Sequence, residues 1–391
     1  MRLTLVTNII SPHQLPLARQ IVAHLGANAF RYVATEPVQA ERAQLGWVEG
    51  APLPWVLEPW RGGEAARAAD IWLHEADVVL CGTRDLDLFA QRLAGQKLLL
   101  YMAERWFKPP QGVARLLHPG FLRMALRFRS LAQSPGFHYL PIGYPAAQDM
   151  RTICRLPGRN WLWGYFVDPP ANFNSHAGQN HSGSGSLSVS KSKNPLRILW
   201  VGRMLKWKRV DTLIRAVALC RARNGNCGLR LVGSGEQERK LRHLAQQLGC
   251  QDKVIFDPPV PIAQVRAALQ QADVYVLPSN GCEGWGVALN EAMLEGCCVV
   301  ASQDAGSAAT LIRQRENGLL FRPGDVSGLA EQLLQLERDE LLRQQLAAAG
   351  RETMLSAWTP EIAANRLLAF SEALLAGRTP PVHASGPLQA V

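Results

Sequence analysis

Short apolar runs alternate with longer amphipathic stretches along most of this chain. Leu3-Thr4-Leu5-Val6 precedes a helical pattern over 16–25, and Asp77-Val78-Val79-Leu80 precedes one over 86–93. Lys97–Met102 precedes another that ends near Leu131. Apolar runs of this length suit strands covered on both faces, and the helices between them suit crossovers, so a parallel α/β sheet is expected. The pattern breaks at Trp161-Leu162-Trp163-Gly164-Tyr165-Phe166, and a Gly/Ser/Asn/His-rich segment runs from Pro169 to Asn194. That composition offers few groups to bury and reads as a flexible linker or mobile loop.

The alternation then restarts. Leu196–Val201, Leu229–Val232, Val254–Phe256, Val274–Leu277 and Cys298–Ala301 are strand-like, and Val210, Leu213, Ile214 and Val217 mark one face of a helix. From Leu329 the pattern is helical as far as Gly377. The expected organisation is an α/β domain over 1–168, a linker over 169–195 and a second α/β domain over 196–355. A helix over 356–376 should return toward the first domain, ahead of a polar tail over 377–391.

Composition narrows the class. Of 391 residues, 47% are apolar and 19% charged, which excludes a disordered chain. No run of about 18 apolar residues occurs, so no membrane-spanning helix is expected. The opening residues are too polar for a secretory signal and read as a first strand. Eight cysteines show no C-x-x-C spacing, and Cys297-Cys298 lie inside an apolar stretch. Reduced core thiols in a cytoplasmic chain, and no metal site, are the expectation. The net charge of +10 fits a solvated surface or attraction to anionic partners.

The densest chemistry lies in Asp273–Ser279, a strand and turn, followed by Gly281-Cys282-Glu283-Gly284-Trp285-Gly286-Val287-Ala288 and a helix carrying Glu291. A strand end, a Gly-rich turn and a helix start place free N–H groups and a positive dipole end at one spot, which suits an anion. Glu283 and Glu291 bracket that spot. Carboxylates beside a phosphate are repelled unless they accept hydrogen bonds from hydroxyls of the same ligand, and a nucleotide sugar satisfies both demands. Upstream, Gly202-Arg203 ends a strand and Lys208 follows, placing cations at a sheet's C-terminal edge for a diphosphate. Gly233-Ser234-Gly235 resembles part of a dinucleotide fingerprint, but Glu238 stands where the third glycine belongs.

In this arrangement the second half resembles the donor domain of glycosyltransferase family 4. The pieces are Val201-Gly202-Arg203 with Lys208, Leu231–Gly235, Ala272–Ser279, the E-x7-E pair Glu283/Glu291, and Asn317–Phe321 with Pro323-Gly324-Asp325. The resemblance implies a GT-B fold of two facing Rossmann-like domains with parallel sheets. It also implies a retaining, metal-independent transferase whose co-substrate is a nucleotide-activated sugar, with no separate cofactor. By that similarity Glu283 meets the donor sugar and Glu291 the ribose. Arg203 and Lys208 hold the diphosphate. The backbone of Gly284, Trp285, Gly286, Val287 and Ala288 touches sugar and phosphates, and Val260 lies near the base.

The first half departs from the family pattern. Ser11-Pro12-His13-Gln14 occupies the place of a Gly-rich loop, and Ala103-Glu104-Arg105 that of a histidine. Glu104 is a candidate acceptor ligand or base, and His13 a candidate group facing the same crevice. Arg115, Arg123, Arg127 and Arg129 lie among Leu117, Phe121, Leu122, Leu126 and Phe128, a basic amphipathic character suited to an anionic membrane face or to a buried helix with arginines at its rim.

The expected activity is transfer of a hexose to a saccharide or lipid-linked saccharide in bacterial surface polysaccharide synthesis, on the inner face of the membrane and without nucleic acid. A nucleotide-sugar isomerase, a nicotinamide-dependent oxidoreductase and a non-catalytic basic binding protein are the rivals.

Overall fold

A computed structural model describes residues 1–47, 52–83, 85, 87–170 and 195–391. The segment read as a linker lies outside the described residues except at its ends. Six parallel strands form the first sheet: β1 (Leu3–Thr7), β2 (Phe30–Ala34), β3 (Val56–Leu57), β4 (Val78–Cys81), β5 (Leu98–Ala103) and β6 (Phe137–Pro141). Six more form the second: β7 (Leu196–Val201), β8 (Cys227–Val232), β9 (Val254–Asp257), β10 (Val274–Leu277), β11 (Cys298–Ser302) and β12 (Leu319–Phe321). Their orders are β3-β2-β1-β4-β5-β6 and β12-β11-β10-β7-β8-β9. Every residue of β1, β4, β10 and β11 is buried, which is why the central strands read as unbroken apolar runs. β2 and β6 escape that reading because Arg31 and His138 interrupt them.

Each sheet runs outward both ways from its first strand, so strand order reverses between β1 and β4 and again between β7 and β10. Loops leaving the C-terminal ends of such a pair diverge and open a crevice, the usual ligand position in doubly wound sheets. This is the GT-B architecture of two Rossmann-like units.

One continuous core joins the units. Trp163 and Phe166 of the first half are fully buried, and Phe166 stacks on Trp358 with centroids 6.1 Å apart. Trp358 in turn lies 5.8 Å from Trp285 of the second half. The aromatic run that reads as a break is therefore the floor between the domains. The apolar residues cannot form a helix or strand face with Gly164 among them, yet together they bury large surface, roughly 1.5–3 kcal/mol for each such side chain.

The C-terminus also crosses back. The helix Pro360–Leu375 places Phe370 against Trp161 at 5.0 Å. The stretch read as a polar tail is docked at its end: Leu388 is fully buried, its N–H bonds to the carbonyl of Leu162 at 2.7 Å, and Ala390 bridges Trp161. Its Pro and Gly content hid this, because pairing through main-chain groups leaves little trace in composition.

Candidate active site

The reversal point of the second sheet carries most of the polar machinery. β7 ends at Gly202, whose carbonyl oxygen would lie 1.9 Å from a Cβ on Gly233. Only a glycine at that second turn, with φ of +136°, lets the two turns meet. Past Gly202, Arg203 is exposed and Lys208 half-buried. Just past β10 lies Ser279, whose hydroxyl donates to Glu283 Oε2 at 2.9 Å, and Lys208 Nζ donates to the same oxygen. Glu283 is only 6% exposed. One cation and one hydroxyl therefore fix a buried carboxylate at the mouth of the crevice, and the like-charge conflict seen in the sequence is relieved by Lys208.

After Glu283 the chain turns through Gly284-Trp285-Gly286 into the short helix Ala288–Leu294. Val287 occupies its N-cap and has no oxygen with which to cap it. Among the described residues, the amides of Gly286, Val287 and Ala288 donate to no other group. Glu291 projects from the first turn of this helix, 7% exposed. No described residue donates a hydrogen bond to its carboxylate. Burial pushes its pKa up to about 7, with nearby Arg266 pulling it down and Glu295 pushing it further up. Trp285 is held by its Nε1–H donating to Asn290 Oδ1 at 2.9 Å, while Asn290 donates to the carbonyl of Tyr165 at the same distance.

The first sheet supplies the opposite wall. Glu104 follows β5 and accepts from Lys108 Nζ at 3.0 Å. Its carboxylate reaches the second domain: a Cβ on Gly284 would lie 1.8 Å from Glu104 Oε2. Tyr165 Oη lies 3.5 Å from its other oxygen, and burial holds that phenol protonated. Beside it Cys282 Sγ donates to the carbonyl of Pro109 at 3.1 Å. His13, past the end of β1, packs edge-on to Trp47 with centroids 5.5 Å apart, and burial lowers its pKa to about 4, so it is neutral near pH 7. Val260, beyond β9, is half-buried at the crevice rim.

Residues 188–353 match the family model "Glycosyl transferases group 1". Over these residues the chain is similar to group 1 glycosyltransferases. Curated relatives of this part include a phosphatidyl-myo-inositol mannosyltransferase of Mycobacterium leprae, 39% identical over 126 residues, or 32% of this chain and 33% of that one. Another is the lipopolysaccharide core biosynthesis glycosyltransferase LpsE of Rhizobium meliloti, 33% identical over 164 residues, 42% of this chain and 46% of that one. The alignments span less than half of these relatives' own length. Similarity of fold reaches further. The Anabaena protein Alr3699/HepE, solved in complex with UDP, superposes with a TM-score of 0.68 at 19% identity, over 96% of this chain and all of that one. WaaG, a glycosyltransferase involved in lipopolysaccharide biosynthesis, gives 0.59 at 18%, covering 93% and 98%.

Within the matched stretch, the structure brings Gly202, Arg203, Lys208, Glu283 and the turn from Gly284 to Ala288 to one end of the sheet, with Glu291 behind them. Glu104 joins them from the facing domain. No contact among the described residues links His13 to Glu283 or Glu104. Sequence reasoning missed Ser279 as the second anchor of Glu283, although it ends the strand motif, and Tyr165 and Asn290 as the brace across the domains. Of the basic amphipathic stretch, Phe121 and Phe128 point into the first core. Val113, Leu117, Leu122, Met124 and Leu126 stay exposed beside Arg123, Arg127 and Arg129.

Proposed function

We propose that this chain is a retaining, metal-independent glycosyltransferase that moves a hexose from a nucleotide diphosphate sugar to a saccharide acceptor. The observation that carries this reading is the pair of buried carboxylates eight residues apart. Glu283 is already anchored by a cation and a hydroxyl, while Glu291 has no donor among the described residues. A buried carboxylate that lacks donors is costly unless hydroxyls reach it, and a ribose diol brings two. Glu283 orients a sugar hydroxyl. Lys208, with one N–H on Glu283, keeps two for phosphate oxygens, and Arg203 and the uncapped amides complete the cradle.

In the reaction the bond from the sugar's anomeric carbon to the diphosphate oxygen breaks, the acceptor oxygen bonds that carbon on the same face, and the acceptor hydroxyl's proton passes to the departing diphosphate. The negative charge gathering on the diphosphate meets Arg203, Lys208 and the amides, while Glu104 binds the incoming acceptor hydroxyl. Its loop is continuous with the exposed apolar and arginine-bearing face at 113–129. That face suits an anionic bilayer, so the acceptor is a lipid-linked saccharide and the enzyme a peripheral one on the cytoplasmic side, in surface polysaccharide synthesis.

Calorimetric titration and a turnover assay test the reading together. Glu291→Ala should weaken nucleoside diphosphate binding about 10- to 100-fold, since a hydrogen bond to a charged group is worth about 1.5–3 kcal/mol. Glu283→Ala should leave that affinity nearly intact and cut acceptor-dependent turnover about 100-fold or more. Near-wild-type behaviour of both variants would remove the donor site from this loop, and product formed without acceptor would favour a nucleotide-sugar isomerase.

A further inference from the structure

The Glu283 turn is held from behind by the helix Gly306–Leu311. Three successive carbonyls of the turn meet the start of that helix. Gly306 packs on the carbonyl of Gly284, where any side chain would collide with the oxygen. The Ser307 N–H donates to the carbonyl of Trp285 at 2.9 Å, and the Ser307 hydroxyl donates to the carbonyl of Gly286 at 3.2 Å. The Gly286 carbonyl also accepts from the Leu289 N–H at 3.0 Å. Ser307 is fully buried, and its hydroxyl bonds to no other group among the described residues. The front of the turn lies on the anchored carboxylate: a Cβ on Gly286 would sit 3.2 Å from Glu283 Cγ and 3.5 Å from its carboxyl carbon. The same helix meets the first domain through Thr310. Its Oγ1 accepts from the Tyr144 N–H at 3.1 Å and donates to the Gly306 carbonyl at 2.6 Å, with no hydrogen bond to the turn.

In a planar trans peptide the N–H points opposite to the C=O. Tying back the carbonyls of Trp285 and Gly286 therefore aims the N–H groups of Gly286 and Val287, which share those two peptide planes, away from Ser307. Those are amides that donate to no described residue. We infer that Ser307 is a positioning residue for the donor's diphosphate, its two donors fixing both peptide planes so that the amides face the phosphate oxygens. This rests on the donor-site reading of the second wall and deepens it. A donor whose direction is set in advance loses no freedom when the phosphate arrives, so a hydroxyl that never touches the ligand contributes to its affinity. The nucleoside part of the ligand gains nothing from it.

The test titrates full-length wild type, Ser307→Ala, Ser307→Cys and Thr310→Val with UDP, GDP and ADP and with the three matching nucleosides. For the nucleoside diphosphate that wild type binds, Ser307→Ala should lower affinity about fivefold, the worth of one neutral hydrogen bond, and leave the nucleoside unchanged. Ser307→Cys keeps the size of the side chain with a weaker donor and should fall between the two. Thr310→Val frees the same helix from the first domain but leaves the turn's bonds intact, and should keep diphosphate affinity within about twofold of wild type. Equal diphosphate affinity in wild type and Ser307→Ala overturns the inference while leaving the donor site standing. An equal loss in Thr310→Val, or an equal loss of nucleoside and diphosphate, also overturns it, since the helix then acts through packing alone. Where Ser307→Ala does not fold, Ser307→Cys decides on the same terms. Wild type that binds none of the three diphosphates removes the donor reading itself, and this inference with it.

Discussion

The two walls of the crevice are built from the same topology and differ in how they hold their chemistry. The second wall is made of turns: Gly202 against Gly233, Ser279 and Lys208 on Glu283, an uncapped helix start. The first wall meets it through single contacts, the Glu104 side chain on Gly284 and the carbonyl of Pro109 on Cys282. Main-chain turns need particular residues at fixed spacing, so they write themselves into sequence. A side chain that leans across a crevice needs only reach, and many residue types at many positions provide it. On the proposed function, the second half is constrained by one donor and the facing half by whatever acceptor it serves.

The turn that carries Glu283 in the second wall is where the largest effect is expected. A Cβ on Gly306 would fall 1.9 Å from the carbonyl oxygen of Gly284, a backbone atom that cannot swing aside. Gly306→Ala should push the helix Gly306–Leu311 off the Glu283 turn, costing about 3 kcal/mol of stability, near the upper end for overpacking. Gly228→Ala, in an open position of β8, should cost little and serves as the control. Equal thermal midpoints for the two variants would mean that the helix Gly306–Leu311 is not packed tightly on this turn. Gly284→Ala separates stability from function: the nearest atoms its methyl meets are the carboxylate of Glu104, the far end of a flexible side chain, so turnover should fall while the midpoint holds.

A somewhat smaller effect concerns the first wall alone. Replacing Arg123, Arg127 and Arg129 with Glu should weaken sedimentation with anionic vesicles about 100-fold, at roughly 1 kcal/mol for each charge near the surface. Arg127 already pairs with Asp87 at 2.7 Å, so its single substitution should matter least of the three. Unchanged sedimentation of the triple variant would leave the exposed leucines without a bilayer.

What could be read from the sequence follows the same division. The alternation of apolar runs and helices placed the central strands β1, β4, β5, β7 and β10 to within a residue or two, because burial on both faces leaves only apolar choices. β2 and β6 were lost to single polar residues within them. Glu283, Glu291, Arg203 and Lys208 were legible as a constellation, since each sits at a strand end or helix start. Tyr165 and Asn290 were not. Their roles depend on contacts between segments more than a hundred residues apart in the case of Tyr165 and Asn290, a separation no local pattern encodes.

The smallest effect discriminates most finely, because it follows a single proton. Glu291 is buried in the second wall, and its pKa lies near 7 rather than the ordinary 4.5. The folded chain therefore binds a proton that the unfolded chain has released between those values. Wild-type stability should fall as pH rises from about 4.5 through about 7, and Glu291→Gln should remove that slope. At pH 8 the variant should be the more stable by about 3 kcal/mol, and at pH 4 the two should agree. Binding runs the other way. Ribose hydroxyls donate to the charged carboxylate, so the proton competes with the nucleotide. Affinity for a nucleoside diphosphate should rise about tenfold from pH 6 to pH 8 in wild type relative to Glu291→Gln, which shares the titration of the phosphates themselves and cancels it. A wild-type pH profile parallel to that of Glu291→Gln would show that the ribose does not reach this carboxylate, and the two walls would then differ less in their chemistry than their geometry implies.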